Sequence, residues 1–107
     1  MPSVLFGMMT ILDFTVKEMN MALEFKFYSD PGHGWLQVEK RLLVQLEIED
    51  KISEYSYVKG DFAYLEEDCD AAVLLMALKS KGIEYQFDEI VSPVRDSPIR
   101  NYQPYLR

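Results

Sequence analysis

A chain of 107 residues, 49% hydrophobic and 13% aromatic, has the length of one domain and enough apolar material for a core, which excludes disorder along its whole length. Eleven basic against eighteen acidic residues leave a net charge of −7, poorly suited to gripping a phosphate backbone and well suited to a basic partner. One cysteine, Cys69, and one histidine, His33, exclude an intramolecular disulfide, a cysteine-based zinc site and a multi-histidine metal centre, and a reducing, cytoplasmic setting is expected.

Met1 to Leu12 is apolar and uncharged. It lacks the positive leader of a signal peptide and falls short of the ~20 residues of a membrane span, so no membrane association is expected. Residues 1–20 read as an N-terminal extension, with Met19 and Met21 as alternative starts. Residues 21–92 read as an α+β domain and residues 93–107 as an arginine-containing tail.

Leu23, Phe25 and Phe27 alternate with Glu24, Lys26 and Tyr28, the period of a half-buried strand. Asp30-Pro31-Gly32 breaks it with a turn, Pro fixing φ and Gly admitting positive φ. Trp35 to Val38 then forms a second strand, hairpinned to the first. From Glu39 to Ile48 the period changes to that of a short helix, with Leu42, Leu43, Val44 and Leu46 inward. Ile52 to Val58 alternates again and hairpins through Lys59-Gly60-Asp61 onto Phe62 to Leu65. Asp68 is the expected N-cap of a helix running from Ala71 to Leu78, closed by Gly82. Ile83 to Val91 supplies the last strand, and Ser92-Pro93 ends it. The order is β-β-α-β-β-α-β: a single-domain α+β fold with a mostly antiparallel five-stranded sheet and two helices on one face. The other face would be covered by the N-terminal extension or by a second copy, a homodimer.

The richest segment is Phe27-Tyr28-Ser29-Asp30-Pro31-Gly32-His33-Gly34-Trp35-Leu36, which holds the only histidine and the only tryptophan. His33 in its Gly-His-Gly bend is a candidate acid–base group that Asp30 would orient, although no nucleophile elbow accompanies it. The other reading is a turn whose histidine bonds the backbone. Tyr28, Trp35, Tyr55, Tyr57 and Tyr64 are expected on one sheet face, as interface anchors or as ordinary cross-strand packing. Residues 39–70 carry ten acids and four bases, and Glu66 and Glu67 are the candidates for an acidic binding face. Their neighbours Asp68 and Asp70 suit a helix start without metal, since a calcium loop would need a bend glycine. Cys69 has no partner that would make it a nucleophile other than His33. In the tail, Arg95 and Arg100 flank Ser97-Pro98 and could grip a carboxylate or phosphate, including the chain's own acidic face. No cofactor motif is present.

Three stretches carry a resemblance: Phe27 to Leu36, Tyr64-Leu65-Glu66-Glu67-Asp68-Cys69-Asp70-Ala71, and Ser97-Pro98-Ile99-Arg100-Asn101-Tyr102. They resemble a set of small acidic proteins from phages, plasmids and other bacterial mobile elements, over about Phe25 to Tyr102. No activity is attached to that set. The resemblance implies an accessory protein in the bacterial cytoplasm. The expectation that follows is a non-enzymatic protein-binding module or inhibitor, with an anti-defence role resting on the resemblance alone. The alternative is a small enzyme or small-anion sensor in which His33, Asp30, Arg95 and Arg100 converge. A third is a dimerisation module whose open sheet face is closed by its twin.

Overall fold

The computed structural model describes residues 23–93 and 95–106; the expected N-terminal extension lies outside them. Among these residues, six strands and two α-helices follow one another as β1 (Leu23–Ser29), β2 (Gly34–Glu39), α1 (Lys40–Gln45), β3 (Tyr57–Lys59), β4 (Phe62–Glu66), α2 (Ala71–Ser80), β5 (Tyr85–Val91) and β6 (Gln103–Pro104). Short 3-10 turns occupy Glu49–Lys51 and Pro98–Asn101. One mixed sheet has the order β5-β1-β2-β4-β3-β6. All neighbours are antiparallel except β1 and β5, which run parallel in register from Leu23↔Tyr85 to Ser29↔Val91. That parallel pair needs a long crossover, and α2 supplies it between β4 and β5.

The sheet divides the apolar residues by parity. Phe25, Leu36, Val38, Ala63 and Leu65 join Leu42, Leu43 and Leu46 of the α1 region and Leu74 and Leu78 of α2 in the main core. Both helices therefore bury against one face. Trp35, Tyr64 and Ile99 form a second cluster, with Tyr28, Tyr57, Phe62 and Tyr102 against it. This opposite face is partly covered by the turn Pro98–Asn101 and the residues after it.

Both helices end in the same way. The N–H of Ile48 donates to the Leu43 carbonyl and that of Glu47 to Val44, each at 3.0 Å. At the end of α2, Ile83 donates to Leu78 and Gly82 to Lys79, again at 3.0 Å. This is the Schellman arrangement, with buried Ile48 and Ile83 completing its hydrophobic contact. Gly82 adopts φ 71°, as its role demands, whereas Glu47 occupies the equivalent left-handed position at φ 60°. A side chain there is strained, so glycine is the better residue for that site.

The structure corrects several expectations. The sheet has six strands, because the tail adds β6 to the edge of β3. The strand expected over Ile52 to Val58 is reduced to Tyr57–Lys59. Ser53 and Ser56 instead turn their hydroxyls onto Asp70 Oδ2, at 2.7 and 2.5 Å, and the Ser53 N–H donates to the same oxygen at 3.0 Å. Asp70, not Asp68, stands at the N-cap of α2, and its side chain makes no capping bond because it holds these two serines. Val44, expected inward, is exposed. No helix among the described residues is long and apolar enough to cross a membrane.

Candidate functional site

The Asp30 side chain is completely shielded from solvent and organises the rim of the aromatic face. Its Oδ1 accepts from the backbone N–H groups of Gly32 and His33, both at 3.0 Å. Its Oδ2 accepts from the Ser97 N–H at 2.8 Å. The Arg100 guanidinium closes the set with Nε to Oδ2 and Nη2 to Oδ1, each at 2.8 Å. A bidentate fork of this kind is the strongest form of Arg–carboxylate pair. Arg100, with the backbone donors of Ser97, Gly32 and His33, holds the Asp30 carboxyl well below the usual carboxylate range against the opposing effect of burial. Asp30 in turn raises the pKa of Arg100. The pair is a latch: it ties the C-terminal turn to the β1–β2 hairpin, 70 residues away in sequence.

The glycines around His33 make room rather than provide unusual φ. A Cβ on Gly32 would sit 3.0 Å from Arg100 Nη2. A Cβ on Gly34 would sit 2.5 Å from the Phe27 ring and 2.8 Å from Glu67 Oε1. Positive φ among the described glycines occurs only at Gly60 and Gly82. The Asp-Pro-Gly-His-Gly-Trp string is thus a built receptor for the arginine of the tail.

Beside the latch lies a cleft of about 340 Å³ lined by His33, Trp35, Tyr55, Tyr57, Glu66, Asp68, Cys69 and Arg100. Its floor is Trp35, 2% exposed, with Tyr57 edge-on at 6.4 Å between ring centroids. Arg100 lies over the Trp35 ring at 5.5 Å, a cation–π contact within the molecule. The Trp35 Nε1–H is buried and has no partner among the described residues. Glu66, at the end of β4, is buried to nine-tenths of its side chain. Its Oε1 accepts from the Asp68 N–H at 2.8 Å, and its Oε2 faces His33 Nδ1 at 3.4 Å. His33, Glu66 and Asp68 bring three potential ligand atoms within 4.8 Å of one another. Desolvation, the hydrogen bond to Glu66 and the carboxylates of Glu66, Asp70 and Asp68 all push the exposed Cys69 thiol up, so it is no ready nucleophile.

The candidates drawn from the sequence are distributed as follows. His33, Trp35, Tyr55, Tyr57, Glu66 and Arg100 meet at the cleft. Asp30 stands behind it, bound to the backbone of His33 rather than to the imidazole, so the expected orienting role does not arise. Glu66 faces the imidazole instead. Tyr28 and Tyr64 meet at 6.2 Å between ring centroids with their planes tilted by 58°, outside the cleft lining, and burial pushes the Tyr64 phenol up. Glu67 leaves the acidic pair for the other side, lining a groove with Phe27, Ala71 and Phe87. Arg95 is exposed and is not among the residues lining the cleft. Asp68 and Cys69 also line the cleft, which sequence reading missed. The signal was available in the turn of residues 66–70, which puts three polar side chains at the end of β4.

Compared with known proteins, the chain matches no family model, no curated protein and no solved structure.

Proposed function

We propose that this chain is a non-enzymatic protein-binding module, an accessory protein of a bacterial mobile element that engages and inhibits a basic host or element-encoded protein. The observation that carries this reading is the cleft, where aromatic rings (Trp35, Tyr55, Tyr57) and carboxylates (Glu66, Asp68) share one surface depression. Tyr and Trp are the residue types that anchor interfaces, and the net charge of −7 favours encounter with a basic surface. The resemblance to mobile-element proteins supplies the setting.

The test is capture of partners from a bacterial lysate on the immobilised full chain, compared with Tyr55→Ala and Asp68→Lys. Both positions are exposed, so the fold tolerates the changes. The expected result is a partner retained at low salt by the parent and at least about tenfold depleted on both variants, because charge steering and an aromatic anchor act together. Equal recovery on all three contradicts the reading.

A second reading has one observation in its favour. His33 and Arg100 share the cleft, as a small enzyme or anion sensor would require. The charge of Arg100 is, however, already matched by Asp30, and two further carboxylates line the same space. An anion entering there meets a net negative wall. The protein-binding reading is therefore the better supported of the two.

A further inference from the structure

Resting on the protein-binding reading, we infer that the cleft seats an arginine side chain of the partner, its guanidinium between the carboxylates of Glu66 and Asp68 and the rings of Tyr55 and Tyr57. Three observations converge. The first is charge. Among the described residues lining the cleft, Arg100 is the one lysine or arginine, and its fork is engaged by Asp30. Beside that matched pair stand two carboxylates, Glu66, whose Oε2 faces His33 Nδ1 at 3.4 Å, and Asp68, so a cation is the ligand that the local field favours.

The second is unspent accepting capacity at a buried carboxylate. A carboxylate offers about four lone-pair directions. Glu66, nine-tenths buried, receives the Asp68 N–H and the Cys69 thiol and faces His33 at a loose 3.4 Å. These contacts, among the described residues, leave room on the carboxylate for a further donor, and a guanidinium brings several in a planar fork.

The third is the aromatic wall. Tyr57 is half-buried against Trp35, and Tyr55, also lining the cleft, is 68% exposed among the described residues. Flat rings beside carboxylates favour a guanidinium, which stacks and pairs at once, over the compact ammonium of lysine. The molecule already uses this combination once, where Arg100 lies over Trp35 and forks onto Asp30. The cleft volume falls at the lower end of the ~300–1,000 Å³ of ligand sites and suits one long side chain.

The experiment uses the full chain and the fluorescence of Trp35, its only tryptophan. The probes are blocked five-residue peptides, Gly-Gly-Xaa-Gly-Gly, with arginine, lysine or the neutral isostere citrulline at the centre, and manganese chloride alone. The arginine peptide is expected to bind with a dissociation constant of about 1 mM, the citrulline peptide at least tenfold more weakly and the lysine peptide severalfold more weakly. Asp68→Asn and Tyr55→Ala each weaken the arginine peptide severalfold, while Glu89→Gln, far from the cleft on β5, leaves it unchanged. The inference is overturned if citrulline or lysine binds as well as arginine, if the cleft variants bind normally, or if manganese alone perturbs Trp35. Failure here with cleft-dependent capture intact leaves a protein-binding module whose anchor is not arginine. Arginine binding with cleft-independent capture overturns the wider reading instead.

Discussion

The two faces of the sheet solve the problem of covering an apolar surface in different ways. The helix-bearing face does it with area: Leu36, Leu43, Leu65, Leu74 and Leu78 are all at 0–1% exposure in one continuous core. Among the described residues, the aromatic face carries no helix. It is covered in part by a four-residue 3-10 turn whose Ile99 is buried and which the Asp30–Arg100 fork ties to the hairpin. Among the described residues, a face closed by a local latch has a margin beside it, and that margin is the cleft. The comparison teaches that one side of this domain secures the fold and the other is free to carry recognition.

The largest effect that would sharpen this contrast is expected from Leu74→Ala. Emptying a site at 0% exposure in the helix-side core costs about 2–5 kcal/mol, read by urea or thermal unfolding. A cost below about 1 kcal/mol would mean that this face is not the main source of stability. Gly34→Ala comes next, since its Cβ would meet the Phe27 ring at 2.5 Å; the strain is expected to cost about 1–3 kcal/mol. A neutral outcome would show that Phe27 moves freely and that the close approach is not required.

Arg100→Ala is expected to act locally. Amide exchange should rise across residues 97–104 while α2 keeps its protection, because the latch holds only the turn and β6. Uniform loss of protection would erase the distinction between the faces. Acid gives the same test without mutation. Asp30 titrates lower in the folded chain than its unfolded value of about 3.9, so its contribution is complete above that pH and fades as pH falls through the folded value. The stability gap between the parent and Asp30→Asn should therefore be full at pH 7 and shrink below about pH 4. A gap that widens in acid would contradict the latch.

The smallest effect is a gain. Glu47→Gly relieves the left-handed position at the end of α1 and should stabilise by up to about 1 kcal/mol, measured by denaturant midpoint. A loss of stability there would mean that the Glu47 side chain makes a contact worth more than the strain.

Much of the helix-side architecture is legible in the sequence because it is written locally. The alternation from Leu23 to Phe27, the apolar run from Ala71 to Leu78 and the glycine at 82 each specify their element from neighbouring residues alone. The aromatic face is written at long range. Ser97 and Pro98 mark the start of the 3-10 turn locally, the Ser97 hydroxyl accepting from the Ile99 N–H, but its docking on the sheet depends on Asp30. The apparent strand from Ile52 loses its first half because Ser53 and Ser56 satisfy Asp70, which stands far along the chain. The same distance explains the candidate site. His33, Trp35 and Tyr57 were conspicuous by residue type, but the pairing of His33 with Glu66, and the withdrawal of Asp30 and Arg100 into each other, depend on strand register and tail docking.

Chemical-shift mapping of the ¹⁵N-labelled chain against the partner recovered by capture tests the central claim most directly. The account predicts shifts concentrated at Trp35, Tyr55, Tyr57 and Asp68, with the outer residues of α2 and β5, such as Met76 and Phe87, unmoved. Perturbations centred on α2 and β5, with the cleft silent, would contradict it.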